Sequence, residues 1–194
     1  MSLLQRRNSV LESVGGSSLR ELLLQPPTII ENYEGRKFIC AAAAKQLLTH
    51  ERISGWIKNH PLHPYSDTDT HDQDLVNSII DNSRLLFAML VVAELEYLTS
   101  ALLSKRQSDN SIHEIDWSSL GLSHDEQRRL DEHRHIIGPV PRKSTHLKLS
   151  QEYVLPFTKR KSIDKQGSFG KIFRAEVANG HLEGYDKVKH CICI

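Results

Sequence analysis

Nine consecutive residues constrain this chain most: Leu85-Leu86-Phe87-Ala88-Met89-Leu90-Val91-Val92-Ala93 carry no polar side chain. A helix that is apolar on every side belongs inside a core. The pattern predicts a long central helix from Arg84 to Arg106, with Asn82 near its cap. Lys105 and Arg106 would lie at its carboxyl end, where cations meet the negative pole of the helix dipole. Each Leu, Phe or Met buried on it contributes about 1.5–3 kcal/mol, so the helical core is expected to grow around this element. Glu94 and Glu96 interrupt the run well short of the roughly 20 residues that cross a bilayer, and no membrane association is expected. Two residues apart on a helix, these carboxylates do not share a face and make no acid–base pair.

Around this element the pattern is helical. Ser17-Ser18 caps a short apolar helix that Pro26-Pro27 stops. From Thr28 to His60 the chain reads as short helical pieces. One is Cys40 to Leu48, rich in alanine. The next is Glu51 to Lys58, capped by Thr49, with Ile53, Trp56 and Ile57 on one face. Asp74 to Asp81 reads as a further helix, Gln107 to His113 as a polar linker, and Trp117 with Leu120 and Leu122 as a small apolar knot. Ser123 and Glu126 form a capping box in front of a charged surface helix from Asp125 to His135. The stretch from His60 to Asp74 is dense in His and Asp but fails the calcium-loop template: Asp72 stands where glycine is needed and Ser78 where a bidentate glutamate is needed. Its His pair, three apart in a proline-broken loop, has no fixed zinc geometry, so a solvated loop is expected and no metal site.

Composition sets the class. A 39% hydrophobic fraction with 25% charged residues belongs to a globular chain. The net charge of +1 conceals an asymmetry: residues 1–141 carry 14 Lys and Arg against 19 Asp and Glu, whereas 142–194 carry 11 against 5. The basic tail suits a phosphate-bearing ligand, but basic linkers are common and no nucleic-acid partner is expected. Three cysteines, Cys40, Cys191 and Cys193, make no disulfide framework and no zinc spacing, which points to a reducing compartment. The amino terminus has no apolar stretch after Arg6-Arg7, so a cytoplasmic or nuclear location is expected. The composition breaks at Gly138-Pro139-Val140-Pro141. The domains are therefore read as a flexible arm at 1–16, a helical domain at 17–137, a linker at 138–150 and a strand-rich segment at 151–194.

That last segment carries the readable chemistry. Ser162 to Val177 reads as strand, tight glycine turn and strand, with Gly167 and Gly170 on either side of Ser168-Phe169. Backbone N–H groups can approach a phosphate at such a turn because glycine brings no Cβ. The run Gly167-Ser168-Phe169-Gly170-Lys171-Ile172-Phe173-Arg174-Ala175 resembles the glycine-rich loop of protein kinases, patterned G-x-G-x-x-G-x-V. Gly167 and Gly170 match its second and third glycines, with Lys165 at the position of the first. Phe169 matches the aromatic loop tip and Ile172 the branched residue that packs over adenine. With Glu152-Tyr153-Val154-Leu155-Pro156-Phe157 upstream, the segment is similar to multidomain fungal protein kinases, in which a helical region leads into the kinase fold.

The resemblance implies a mainly α chain, α+β overall, whose last strands open a kinase amino-terminal lobe. It implies ATP as the cofactor, bound by Gly167, Ser168, Phe169, Gly170 and Ile172, and a lysine at the end of a third strand. Either Lys189 supplies that lysine, or the strand is His190 to Ile194 and the lysine is the next residue. Phosphoryl transfer also needs a catalytic-loop aspartate, an asparagine and a metal-binding aspartate downstream. None follows Gly170 here, and His133-Arg134-His135 lacks the aspartate, so no catalytic residue is assigned and the chain as it stands is expected to be inactive. Two other readings stay open: a non-enzymatic helical interaction module with a vestigial nucleotide loop and a protein partner, and an ordinary β-turn at Gly-Ser-Phe-Gly. The strand segment is expected to be poorly ordered or docked on the helical domain.

Overall fold

The computed structural model describes residues 18–59, 69–138, 140, 152–167, 170–181 and 190–193, with the backbone alone at 69–71, 162–167, 170–173 and 190–193. The arm at 1–16, most of the loop from His60 and the linker residues 141–150 lie outside it. The described chain is mainly helical, with two small antiparallel sheets. Its helices are α1 (Leu19–Leu23), α2 (Ala41–Leu47), α3 (His50–Asn59), α4 (Asp69–Asn82), α5 (Arg84–Val92), α6 (Thr99–Ser104) and α7 (His124–His133). Its strands are β1 (Ile29–Glu31), β2 (Lys37–Ile39), β3 (Phe157–Gly167), β4 (Gly170–Val177) and β5 (His190–Cys193).

The apolar run is the central helix. Every residue of α5 from Leu85 to Val92 is buried, and α1, α2, α4 and α7 pack around it. Ile53 and Ile57 of α3 are buried as their spacing requires, while the half-buried Trp56 meets Phe87 edge-on at 5.4 Å. Thr49 receives the Arg52 N–H at 3.3 Å, and the Ser18–Glu21 and Ser123–Glu126 capping boxes both form. Leu130 of the charged helix α7 is fully buried and anchors it to the core.

Four expectations are corrected. The helix predicted from Arg84 to Arg106 ends at Val92. Glu94 adopts φ 57°, its N–H reaches the Val91 carbonyl at 3.2 Å, and the Leu95 N–H reaches Leu90 at 2.8 Å. That is a Schellman ending, which usually requires glycine at its left-handed position. The conformational cost of about 1–2 kcal/mol is offset by full burial of Leu95 and by ion pairs from Glu94 to Arg129 at 3.2 Å and Arg20 at 3.5 Å. Helix α6 ends the same way at Arg106, φ 59°. Neither stop carries the glycine that marks one in a sequence.

The N-cap residue of α5 is Ser83, next to Asn82. Its hydroxyl donates to the Gln107 carbonyl at 3.3 Å and makes no cap bond, and Asp109 Oδ1 supplies the acceptor instead, for the Leu85 N–H at 2.8 Å and the Leu86 N–H at 2.9 Å. The supposed polar linker 107–113 thus closes the central helix. Helix α4 starts at Asp69 rather than Asp74, so part of the expected loop is helical. Lastly, the stretch after Thr28 holds a β-hairpin that helical patterning concealed. Ile29 pairs with Ile39 and Glu31 with Lys37. Its turn is closed by Asn32 Oδ1, which accepts the Glu34 and Arg36 N–H groups at 2.9 Å, and by Gly35 at φ 75°.

The strand segment is docked on this hairpin. The Tyr33 N–H donates to the Phe157 carbonyl at 2.8 Å, Asn32 Nδ2 to Leu155 at 3.3 Å, and Arg36 Nη2 to the Glu152 carbonyl. Phe38, Val154 and Ala178 make a second, smaller apolar cluster beneath them.

Candidate functional site

Strands β3, β4 and β5 form an antiparallel meander in that order. Alternation of apolar residues after Gly170 drives β4, and its pairing with both neighbours makes it the central strand. Gly167 and Gly170 are partners in the ladder, so the two glycines singled out by sequence face each other across a two-residue connection. Ser168 and Phe169, which form that connection, lie outside the described residues. Ile172 pairs with Ile163 on one side and Cys193 on the other, which sets its backbone two residues beyond Gly170. The ladder shifts between Ile163 and Gln166, leaving Asp164 and Lys165 out of register, so the position of the expected first glycine is a bulge. The third strand begins at His190. Lys189 lies outside the described residues, immediately before it.

Lower in the sheet the side chains are mixed in charge. Lys159 Nζ meets Glu176 at 2.9 Å, while Lys161 and Arg174 are both exposed on paired positions. Two of the ties between the base of the sheet and the helical part run through side chains of the sheet segment itself. At one, Arg160 Nη1 donates to the Tyr33 hydroxyl at 2.8 Å with its guanidinium 5.2 Å from the Tyr33 ring centre, a cation–π geometry. At the other, Asn179-Gly180-His181 sits on the amino-terminal end of α2. The Ala42 N–H reaches the Asn179 carbonyl at 3.3 Å, and the Ala41 N–H donates to Nε2 of the fully buried His181 at 3.0 Å. Cys40, the N-cap residue of α2, makes no side-chain cap bond, so residues from the far end of the chain satisfy these orphan donors. Sequence reasoning missed Tyr33, Arg160, His181 and Asp109, each of which acts on a partner at least 23 residues away. The only signal was local: Asn32-Tyr33-Glu34-Gly35 is a turn sequence.

Other clusters are spoken for. A cavity of about 320 Å³ is lined by Lys45, Asp81, Arg84, Asp109 and Asn110 among others. Arg84 spends Nε on the Ile80 carbonyl and Nη1 on Lys45, and Asp109 caps α5. Burial pushes the Asp109 carboxyl up to about 6, against the pull of the Leu86 and Leu85 N–H groups and of Lys45 and Arg84. His113 and His135 both stand edge-on to Tyr153, at 4.4 and 5.0 Å. Burial, with a smaller push from His135, lowers His113 to about 4. Among the described residues no group of three or more His, Cys, Asp or Glu is placed to hold a metal. No single helix among them is long and apolar enough to cross a membrane.

Comparison with known proteins finds no matching family model, no matching curated protein and no matching solved structure.

Proposed function

We propose that this chain is the amino-terminal region of a serine/threonine-type protein kinase, in which the Gly167–Gly170 turn contacts the phosphates of ATP and the helical part is a protein-interaction module. The observation that supports this is the ladder pairing of Gly167 with Gly170 at the end of an antiparallel pair that continues into a third strand. A turn without Cβ atoms on either flank leaves backbone N–H groups open to phosphate oxygens. The exposed Lys161 and Arg174 add positive potential along the same strands. The residues named for the nucleotide remain Gly167, Ser168, Phe169, Gly170 and Ile172, with Lys189 as one of two candidates for the phosphate-pairing lysine; no catalytic residue is named.

A second reading, a helical interaction module with a vestigial nucleotide loop, is favoured by the main apolar cluster. Among the described residues its buried members run from Leu23 to Ile137 and include none from the three-stranded sheet. Reading the transcript through the codon for Ile194 separates the two. A frame that runs on into a lysine, an aspartate-bearing catalytic loop and a metal-binding aspartate supports the kinase reading. A stop codon directly after Ile194 overturns it.

A further inference from the structure

Among the described residues, the sheet touches the helical part through a joint built differently from the core. Its buried apolar content is Phe38, Val154 and Ala178, with Ile30 partly covered against them. The rest is mostly polar: the β1–β2 turn holds Leu155, Phe157 and Arg160, the amino end of α2 holds Asn179 and His181, and His135 meets Glu152, Val154 and the Tyr153 ring at the entry to the segment. Gly180 sits between, at φ 81°, where an added Cβ would lie 2.6 Å from the Ala42 nitrogen. Backbone therefore rests directly on backbone, and the ring of His181 packs edge-on against Phe38 at 5.5 Å. A contact with few buried apolar groups and several half-exposed hydrogen bonds opens at lower free energy than a packed core does.

We infer that residues 152–181 are held as a releasable unit, latched to the helical domain at Tyr33–Arg160 and at Ala41–His181, so that the helical domain controls the freedom of the glycine turn. The inference deepens the kinase reading and rests on it for the meaning of that control, though not for the existence of the latch. Release at either end leaves α5 and its neighbours folded, because among the described residues the buried members of the main cluster end at Ile137. It also exposes the Ala41 and Ala42 N–H groups, which have no local cap to replace His181 and Asn179.

The test is native-state hydrogen exchange on residues 1–194 without nucleotide, comparing the wild-type chain with His181→Ala, Gly180→Ala and Tyr33→Phe. Exchange at Ala41, Ala42 and the β3–β4 amides is expected to rise about tenfold or more in His181→Ala and Gly180→Ala, and less in Tyr33→Phe, while Phe87 to Val92 stay within twofold. Equal acceleration of Phe87 to Val92 would show one cooperative unit and overturn the inference, as would unchanged exchange in the sheet. Because no nucleotide is present, failure here leaves the kinase reading standing, and a stop codon after Ile194 defeats that reading without touching the latch.

Discussion

Asp109 offers the sharpest test of how the central helix is held. Its carboxyl titrates near 6 in the folded protein against an ordinary value of 3.8, with burial the largest cause. A separation of about two units corresponds to roughly 3 kcal/mol between the two protonation states. Between these pH values the folded chain keeps a proton that the unfolded chain has released. The Asp109 contribution is therefore fully present below pH 3.8 and lost as pH rises through 6. Asn at this position keeps a carbonyl acceptor for Leu85 and Leu86 and never ionises. Asp109→Asn is expected to match wild type at pH 4 and to exceed it at pH 7 by up to about 3 kcal/mol. Asp109→Ala, which orphans both N–H groups, should fall about 1–2 kcal/mol below Asp109→Asn at either pH. Urea unfolding followed by far-ultraviolet circular dichroism at both pH values reads these differences. If Asp109→Asn is less stable than wild type at pH 7, the charge–dipole attraction at the helix start outweighs burial, and the reasoning is wrong.

Two further outcomes follow from the same structure. Arg106 is exposed and left-handed, so Arg106→Gly removes strain without removing a contact and should raise stability by about 0.5–1 kcal/mol, seen as a higher urea midpoint; a lower midpoint would refute the strained stop. His113, depressed to about 4 from an ordinary 6.5, stays neutral in the folded chain while the unfolded chain takes up a proton. Stability is thus lost as pH falls from 6.5 towards 4, by about 1–2 kcal/mol after allowing for partial exposure. In the Asp109→Asn background, where the opposing carboxyl is silent, His113→Asn should flatten most of this slope, and an unchanged slope would assign it elsewhere.

The strand–turn–strand pattern around Gly167 and Gly170 was readable before the fold, since glycine spacing and two-residue alternation are local properties of β3 and β4. So was the burial of Leu85 to Val92, because a helix apolar all round has nowhere else to go. The first hairpin was hidden because three-residue strands carry too short a pattern to outvote the alanine-rich helix beside them. The docking site was hidden for a different reason: Tyr33 and Arg160, or Ala41 and His181, become neighbours only when chain segments more than a hundred residues apart meet.

By itself the sequence determined which segment is the core, where Ser18 and Ser123 start helices, and where glycines close a strand pair. These depend on composition and spacing within one turn of chain. Tertiary structure alone decided how α2 and α5 begin and how α5 and α6 end. A helix must satisfy its terminal backbone groups with whatever lies nearby in space. Here α5 takes Asp109, α2 takes His181 and the Asn179 carbonyl, and the left-handed stop at Glu94 persists without glycine because buried Leu95 and the ion pairs to Arg129 and Arg20 hold it.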